Sequence, residues 1–284
     1  MSSNIIYYFD RLREEKRPFR FLISRLLRKS RLSTLLLIKR NGYTLRFHPT
    51  ALSTTLWLNP NERMEDEDFI TRYLKIGDKF IDIGANIGTL TLTGARAVGS
   101  TGHVYAFEAH PTTARYLKSN IELNSFDHIT LFDIALSDKR GDVGFSSLSS
   151  DDQNCVEEAG ASIKVKALPL DDAQVPSQEI ALLKIDVEGY EKFVLIGAEK
   201  TLPSVKAIYF EASEATYGRF GYDFSDIHNL LSRQGFTLLR WIQDRAELVS
   251  SEYCCVNTEN ILAVRDLRDF VSRMNVAAVC DNKP

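Results

Sequence analysis

Residues 79–92 read KFIDIGANIGTLTL, and this run commits the chain to a strand that turns sharply into a helix. Phe80, Ile81 and Ile83 suit a buried strand, Gly84 and Gly88 bracket Asn86, and a helical pattern starts near Thr89. A strand, a tight glycine turn and a helix start make a nucleotide-binding loop. Asp82 is the anomaly, because an apolar residue in its place would make a better strand.

The same alternation runs on from residue 65. Strands are predicted at 79–83, 103–108, 129–133, 180–186, 205–211, 236–241 and 260–264, with helices between them. Pro111 opens one of these helices, at the first-turn position that proline prefers. Such a pattern predicts an α/β fold, a mostly parallel seven-stranded sheet with helices on both faces. Segments 142–148 and 162–168 read as extra extended pieces around an acidic loop at 151–158. Ahead of this domain (61–284), residues 1–60 form an extension. It reads as a helical region over 5–38, interrupted at Pro18, and a hairpin of 35–40 with 43–48 around Asn41-Gly42.

Charge is distributed unevenly. The first 40 residues hold 11 Lys/Arg against three acids and carry +8, so the rest of the chain, at a net −3 overall, carries −11. An acidic body excludes nucleic acid as the main partner. The basic segment suits peripheral contact with an anionic membrane, or else a helix capping the core with solvated charges. Four cysteines without a C-x-x-C pair predict a reduced, cytoplasmic protein, and the N-terminus lacks the apolar run of a secretory signal.

In parallel sheets, ligands bind at the carboxyl ends of the strands. Asp82, Glu108, Asp133, Asp186 and Glu211 close five successive predicted strands. One such acid would read as a helix cap, whereas five point to a shared cationic ligand or a metal. A dinucleotide loop needs G-x-G-x-x-G, and Gly84-Ala85-Asn86-Ile87-Gly88 lacks that spacing. Asp82 would also repel a pyrophosphate in a pocket of low dielectric. S-adenosylmethionine (AdoMet) carries a sulfonium and an ammonium and no phosphate, so it accounts for the acids. Glu108 is placed to accept from both ribose hydroxyls, and Asp133 from the adenine amino group.

The runs FIDIGANIGTLTL, VYAFEAHP, LFDIALSD, LLKIDVEGYEKFVLIGAEKTL and IYFEAS resemble, in order and spacing, the motifs of FkbM-type AdoMet-dependent methyltransferases. The likeness covers about residues 78–242. It implies a class I, Rossmann-like methyltransferase fold and O-methylation of a sugar or natural-product hydroxyl. By the same resemblance Asp82, Gly84, Asn86 and Gly88 are the cofactor loop, Glu108 the ribose acid, and Asp133 and Ala135 the adenine edge. Lys184, Asp186, Glu188 and Glu191 are the family's signature block, and Glu211 is the acid after the fifth strand.

A sugar hydroxyl is a poor nucleophile, so a base or a metal must assist. Asp186 is expected to face the cofactor's methyl group and to share a strand face with Lys184. Asp186 and Glu211 could hold Mg²⁺, or either could accept the proton without a metal. Alternative roles are an ion pair to Lys184 for Asp186 and helix-terminus charge compensation for Glu188 and Glu191. His228 and Tyr217 are further candidates for substrate contact, with a structural role the commoner fate of a lone histidine. The rival functions are a dehydrogenase, a non-catalytic AdoMet-binding module, and a methyltransferase with a protein, lipid or other small-molecule acceptor.

Overall fold

Residues 180–185 are apolar except for Lys184, a composition that only a strand covered on both faces can bury. In the computed structural model that strand lies in the interior of the largest sheet, paired on both edges. The structure describes residues 17–28, 33, 35–145, 156, 163–176, 179–242, 245–276 and 279–280.

From the N-terminus run helix α1 (Pro18–Arg28), hairpin strands β1 (Leu37–Lys39) and β2 (Thr44–Arg46), and helices α2 (Ala51–Leu58) and α3 (Met64–Tyr73). The alternation then begins with β3 (Lys79–Ile83), α4 (Thr89–Val98), β4 (His103–Phe107), α5 (Pro111–Asn124) and β5 (Ile129–Phe132). Next come β6 (Ala135–Leu136), β7 (Gly141–Phe145), β8 (Ile163–Leu168), β9 (Ile180–Ile185), α6 (Glu191–Ile196) and β10 (Val205–Ala212). The chain closes with α7 (Glu214–Tyr217), α8 (Phe224–Arg233), β11 (Thr237–Ile242), β12 (Arg245–Leu248), β13 (Glu259–Val264), α9 (Leu267–Met274) and β14 (Val279–Cys280).

The large sheet has nine strands in the order β14-β12-β11-β13-β10-β9-β3-β4-β5. The seven strands read from the sequence are all in it, and β12 and β14 extend one edge. Strands β10, β9, β3, β4 and β5 are mutually parallel, while β13, β11 and β12 join by antiparallel pairs. From β3 the chain steps outward through β4 and β5, then returns to place β9 on the other side of β3. The switch point therefore falls between β3 and β9, where a ligand crevice is expected. Alternate residues feed two apolar layers. Ile81, Ile83, Leu183 and Ile185 enter one, and Phe80, Leu182, Ala207 and Tyr209 the other.

The predicted hairpin is present, with Ile38 opposite Leu45. It shares a buried cluster with the main domain, in which Ile38, Tyr43, Leu45, Phe47 and Leu56 pack with Ile87 and Leu92. Two asparagines of α5 complete its edge: the Arg46 amide donates to Asn120 Oδ1 at 2.9 Å and the Thr44 amide to Asn124 Oδ1 at 2.8 Å. Pro18 starts helix α1, as its missing N–H permits. The remainder of the predicted helical region, 1–16, 29–32 and 34, lies outside the described residues.

The extended pieces at 142–148 and 162–168 appear as β7 and β8, which with β6 form a separate three-stranded sheet. Phe145 pairs with Val156, and the rest of the acidic loop lies outside the described residues. Helix α6 ends at Ile196 with Gly197 as its C-cap, and Gly197 lies so close to the Ser137 carbonyl that no side chain fits there.

Candidate functional site

Strand register builds the site. In the parallel pair of β3 and β9, Asp82 stands opposite Lys184, so an acid and an ammonium meet between the two central strands. Lys184 Nζ lies 3.2 Å from Asp82 Oδ1 and 3.6 Å from Asp186 Oδ2, and donates to the Gly84 carbonyl at 2.9 Å. Burial alone would lower the lysine's proton affinity, but the charges of Asp82 and Asp186 more than offset it and hold the ammonium form. A lysine so bound is a tie between two strand ends and is unsuited to act as a base.

Asp82 is wholly enclosed by protein partners. It is 0% exposed and lies on the Phe80 face of β3, turned toward α4, where Thr91 Oγ1 donates to it at 2.6 Å. Asp82 is not on the crevice wall, which its cross-strand neighbour Lys184 reaches. Its partner is Lys184, and the anomaly of an acid in an apolar strand is resolved by that ion pair. Replacing Lys184 with Met should therefore leave a buried, uncompensated carboxylate and cost about 3–5 kcal/mol of stability. Thermal unfolding of the variant checks this, and a wild-type midpoint would contradict it.

Beyond β3 the loop closes tightly. The Gly84 and Ala85 amides both donate to the Phe107 carbonyl at 3.0 Å. Gly84 has φ +73, and a side chain there would collide with the carbonyl oxygen of Asp186. The next acid, Glu108, receives the Asn86 amide on Oε2 and the His110 amide on Oε1, each at 2.8 Å. Those bonds aim its carboxylate into the crevice and leave a further lone pair on each oxygen. Burial pushes Glu108 up to about 7, only partly countered by the two backbone donors.

The crevice is a cleft open to solvent, with polar and apolar side chains on its wall. Gly84, Asn86, Glu108 and Ala135 line it, as do Lys184, Asp186 and Glu188. Asp82, Gly88 and Asp133 are not on its wall. Asp133 is exposed, because the chain turns outward after β5 and presents Ile134 and Ala135 instead. Gly88 serves at the start of α4, where its φ of +97 sets the left-handed turn.

At the carboxyl ends of β9 and β10, oxygens of Asp186, Glu188 and Glu211 lie within 4.8 Å of one another. Burial, then the charges of Asp186 and Glu188, push Glu211 up to about 8. Glu191 sits beneath this cluster. Its Oε1 accepts the Val187 amide at 3.0 Å and the Gly189 amide at 3.3 Å, holding the turn in which Glu188 adopts φ +54. Burial pushes Glu191 up to about 7. His228 and Tyr217 take structural places. The histidine ring lies 3.3 Å from the Val249 carbonyl, and the tyrosine hydroxyl donates to the Glu211 carbonyl at 3.0 Å.

Arg63 was not foreseen from the sequence. It holds φ +62 at the start of α3, lines the cavity, and brings Nη1 to 3.4 Å from Asp66 and 3.9 Å from Asp186. Burial would weaken its charge, but Asp186, Asp66 and Glu211 reinforce it. More than 120 residues separate Arg63 from Asp186, so no local pattern could join them. Tyr190, stacked on Phe193 at 4.5 Å, also lines the cavity unannounced.

Three raised carboxyls set the pH response of the ligand-free protein. Glu108, Glu191 and Glu211 bind protons more tightly folded than unfolded, so their contribution is complete below about pH 4.5 and is lost as pH rises through about 7 to 8. The melting temperature of ligand-free protein should fall between pH 5 and pH 8, as calorimetry at several pH values would show. A melting temperature that rises across this window would contradict the assignment.

Comparison with known proteins agrees with this architecture. The chain is 25% identical over 155 residues to the 2-O-methyltransferase NoeI of Sinorhizobium fredii, covering 47% of this chain and 63% of that protein. It is 30% identical over 201 residues to the hexuronic acid methyltransferase AglP of Haloferax volcanii, covering 68% of this chain and 77% of that protein. Residues 82–238, more than half of the chain and the span that holds every strand-end acid discussed above, match the methyltransferase FkbM domain. The chain belongs to the FkbM family of AdoMet-dependent methyltransferases.

Proposed function

We propose that the chain moves the methyl group of AdoMet onto a hydroxyl of a sugar-type acceptor, with the carboxylates beyond β9 and β10 taking the proton. One observation carries this reading. Glu108 and residues Gly84, Ala85 and Asn86 of the loop line the same crevice as Asp186 and Glu188, so a seat for a nucleoside and a proton acceptor adjoin. The sugar-type acceptor is supported by the two relatives, whose names specify a hexuronic acid and a 2-O position.

The residues fit AdoMet. Glu108 offers two oriented acceptor oxygens to ribose hydroxyls, and Ile134 and Ala135 offer an apolar edge to adenine. The close approach allowed by Gly84 narrows the crevice where Asp186 enters. When bound, AdoMet supplies a methyl carbon on a sulfonium, which leaves as a neutral thioether. Asp186 and Glu188 orient the acceptor hydroxyl for in-line approach, worth a large share of the barrier. Glu211 takes the released proton, its proton affinity raised by burial and the neighbouring carboxylates as suits a general base. Arg63, 3.9 Å from Asp186, holds that carboxylate in position.

The second reading is a divalent cation held by Asp186, Glu188 and Glu211, favoured by the closeness of three oxygen donors. Such an ion would polarise the acceptor oxygen. Against it, Arg63 and Lys184 already place two positive charges within 4 Å of Asp186. Turnover is expected to persist in EDTA, and its loss with recovery on added Mg²⁺ would favour the metal. The reaction itself is tested with methyl-labelled AdoMet and a panel of neutral and acidic sugars. Label on a sugar oxygen with release of S-adenosylhomocysteine supports it. Tight AdoMet binding without product from any sugar would leave a binding module or a different acceptor class.

A further inference from the structure

Helix α1 is mounted with its apolar side outward. Phe19, Leu22 and Ile23 follow the i, i+3, i+4 spacing of a single helix face and are 80%, 50% and 44% exposed. The opposite side buries Phe21 and Ser24, at 4% and 0%. The orientation is held firmly. Arg20 Nη1 donates to the Trp57 carbonyl at 3.0 Å, Trp57 Nε1 donates back to the Arg20 carbonyl at 3.0 Å, and the guanidinium lies over the indole at 4.8 Å. An amphipathic helix normally turns its apolar face to the core. This one presents Phe, Leu and Ile to its surroundings and uses an arginine–tryptophan clasp to stay in place.

The sequence around it is equally one-sided: residues 16–61 contain ten Lys/Arg and no Asp or Glu, although the chain as a whole is net negative. Among the described residues of this stretch Arg17 and Lys39 are exposed, whereas the Arg40 side chain is buried against Glu67. Leu35 and Leu37, in the same acid-free stretch, are also exposed. Among the described residues no helix is long and apolar enough to cross a membrane, so contact would be with a surface.

We propose that the outer face of α1 docks this enzyme on an anionic lipid surface, with Phe19, Leu22 and Ile23 entering the headgroup boundary and the surrounding cations meeting acidic headgroups. A bilayer satisfies both features at once, apolar depth and negative charge. A second copy of the chain fits less well, because a two-fold contact through this face would set one acid-free basic stretch against another. The cavity lies close by, since α2 carries both Trp57, which clasps α1, and Leu52, which lines the crevice. Docking therefore brings the crevice near the lipid surface, where an acceptor attached to the bilayer would meet it.

The test is co-sedimentation of the full chain with vesicles of one part phosphatidylglycerol to two parts phosphatidylcholine, against phosphatidylcholine alone. Binding is expected only to the anionic vesicles. It should weaken as salt shortens the screening length from about 10 Å at 0.1 M to about 3 Å at 1 M. The variant F19S/L22S/I23S should partition about tenfold less or weaker while binding S-adenosylhomocysteine normally, since its changes lie outside the crevice. Phe19→Ser alone, at the most exposed position, gives the same readout in smaller measure if the triple variant fails to fold. Full-length protein that stays in the supernatant at low salt overturns the proposal, as does a triple variant that sediments like wild type. A dimer in light scattering that the triple variant converts to monomer, without vesicle binding, would assign the face to a second copy instead.

Discussion

Glu211→Gln is expected to lower kcat by about 10²- to 10⁴-fold, the usual contribution of a positioned general base. The substitution keeps the size of the side chain and removes its ability to take a proton. In the wild type, burial and the neighbouring carboxylates hold Glu211 at about 8. The rate should therefore rise with pH through that value as the cluster loses its proton, and the variant should lack this limb. Affinity for AdoMet should change little, because Glu211 is not on the cavity wall that Glu108 and the loop build. The measurement is kcat from pH 6 to pH 10 with a sugar acceptor identified by labelling. A variant with wild-type kcat would remove Glu211 from the mechanism, and an unchanged pH profile would assign the proton to another group.

Glu108→Gln is expected to raise the Kd for AdoMet roughly 30-fold or more, on the order of 2–4 kcal/mol for two charge-assisted hydrogen bonds. The free carboxyl lies near 7 because it is buried, so in the empty crevice it is partly protonated at neutral pH. Hydroxyl donors favour the ionised form. AdoMet should therefore bind more tightly as pH rises toward and past 7, with proton release on binding below that pH. Calorimetry in two buffers of different ionisation enthalpy reads both effects. Wild-type affinity in the variant would overturn the ribose assignment. A loss of affinity that does not vary with pH would mean that Glu108 acts through the loop it supports, since the Asn86 amide rests on it.

Much of the fold was legible because its signals are local. Each of the seven strands that lead or join the central sheet is a short apolar run bounded by turn residues, and the hairpin is marked by Asn41-Gly42. The strands missed, β12 and β14, are short edge pieces, and β12 is the polar RAEL, without the apolar periodicity that marks a buried strand. The site was legible in part for the same reason. Acids at strand ends are visible as positions along the chain; Asp186, Glu188 and Glu211 do converge, and Glu108 lines one cavity with the first two.

What the sequence by itself determined is thus the parallel α/β layering and the tight turn at 84–88, both of which rest on spacing over a few residues. Only the tertiary structure decided where each acid looks. Asp82 and Asp133 sit at strand ends as Glu108 does, yet one is paired with Lys184 and the other is exposed. Arg63 likewise joined the site only through packing of α3 against the central sheet. A side chain's direction at a strand end is set by the pleat and by which strand lies alongside, and partners 100 residues apart are brought into register only by the finished sheet.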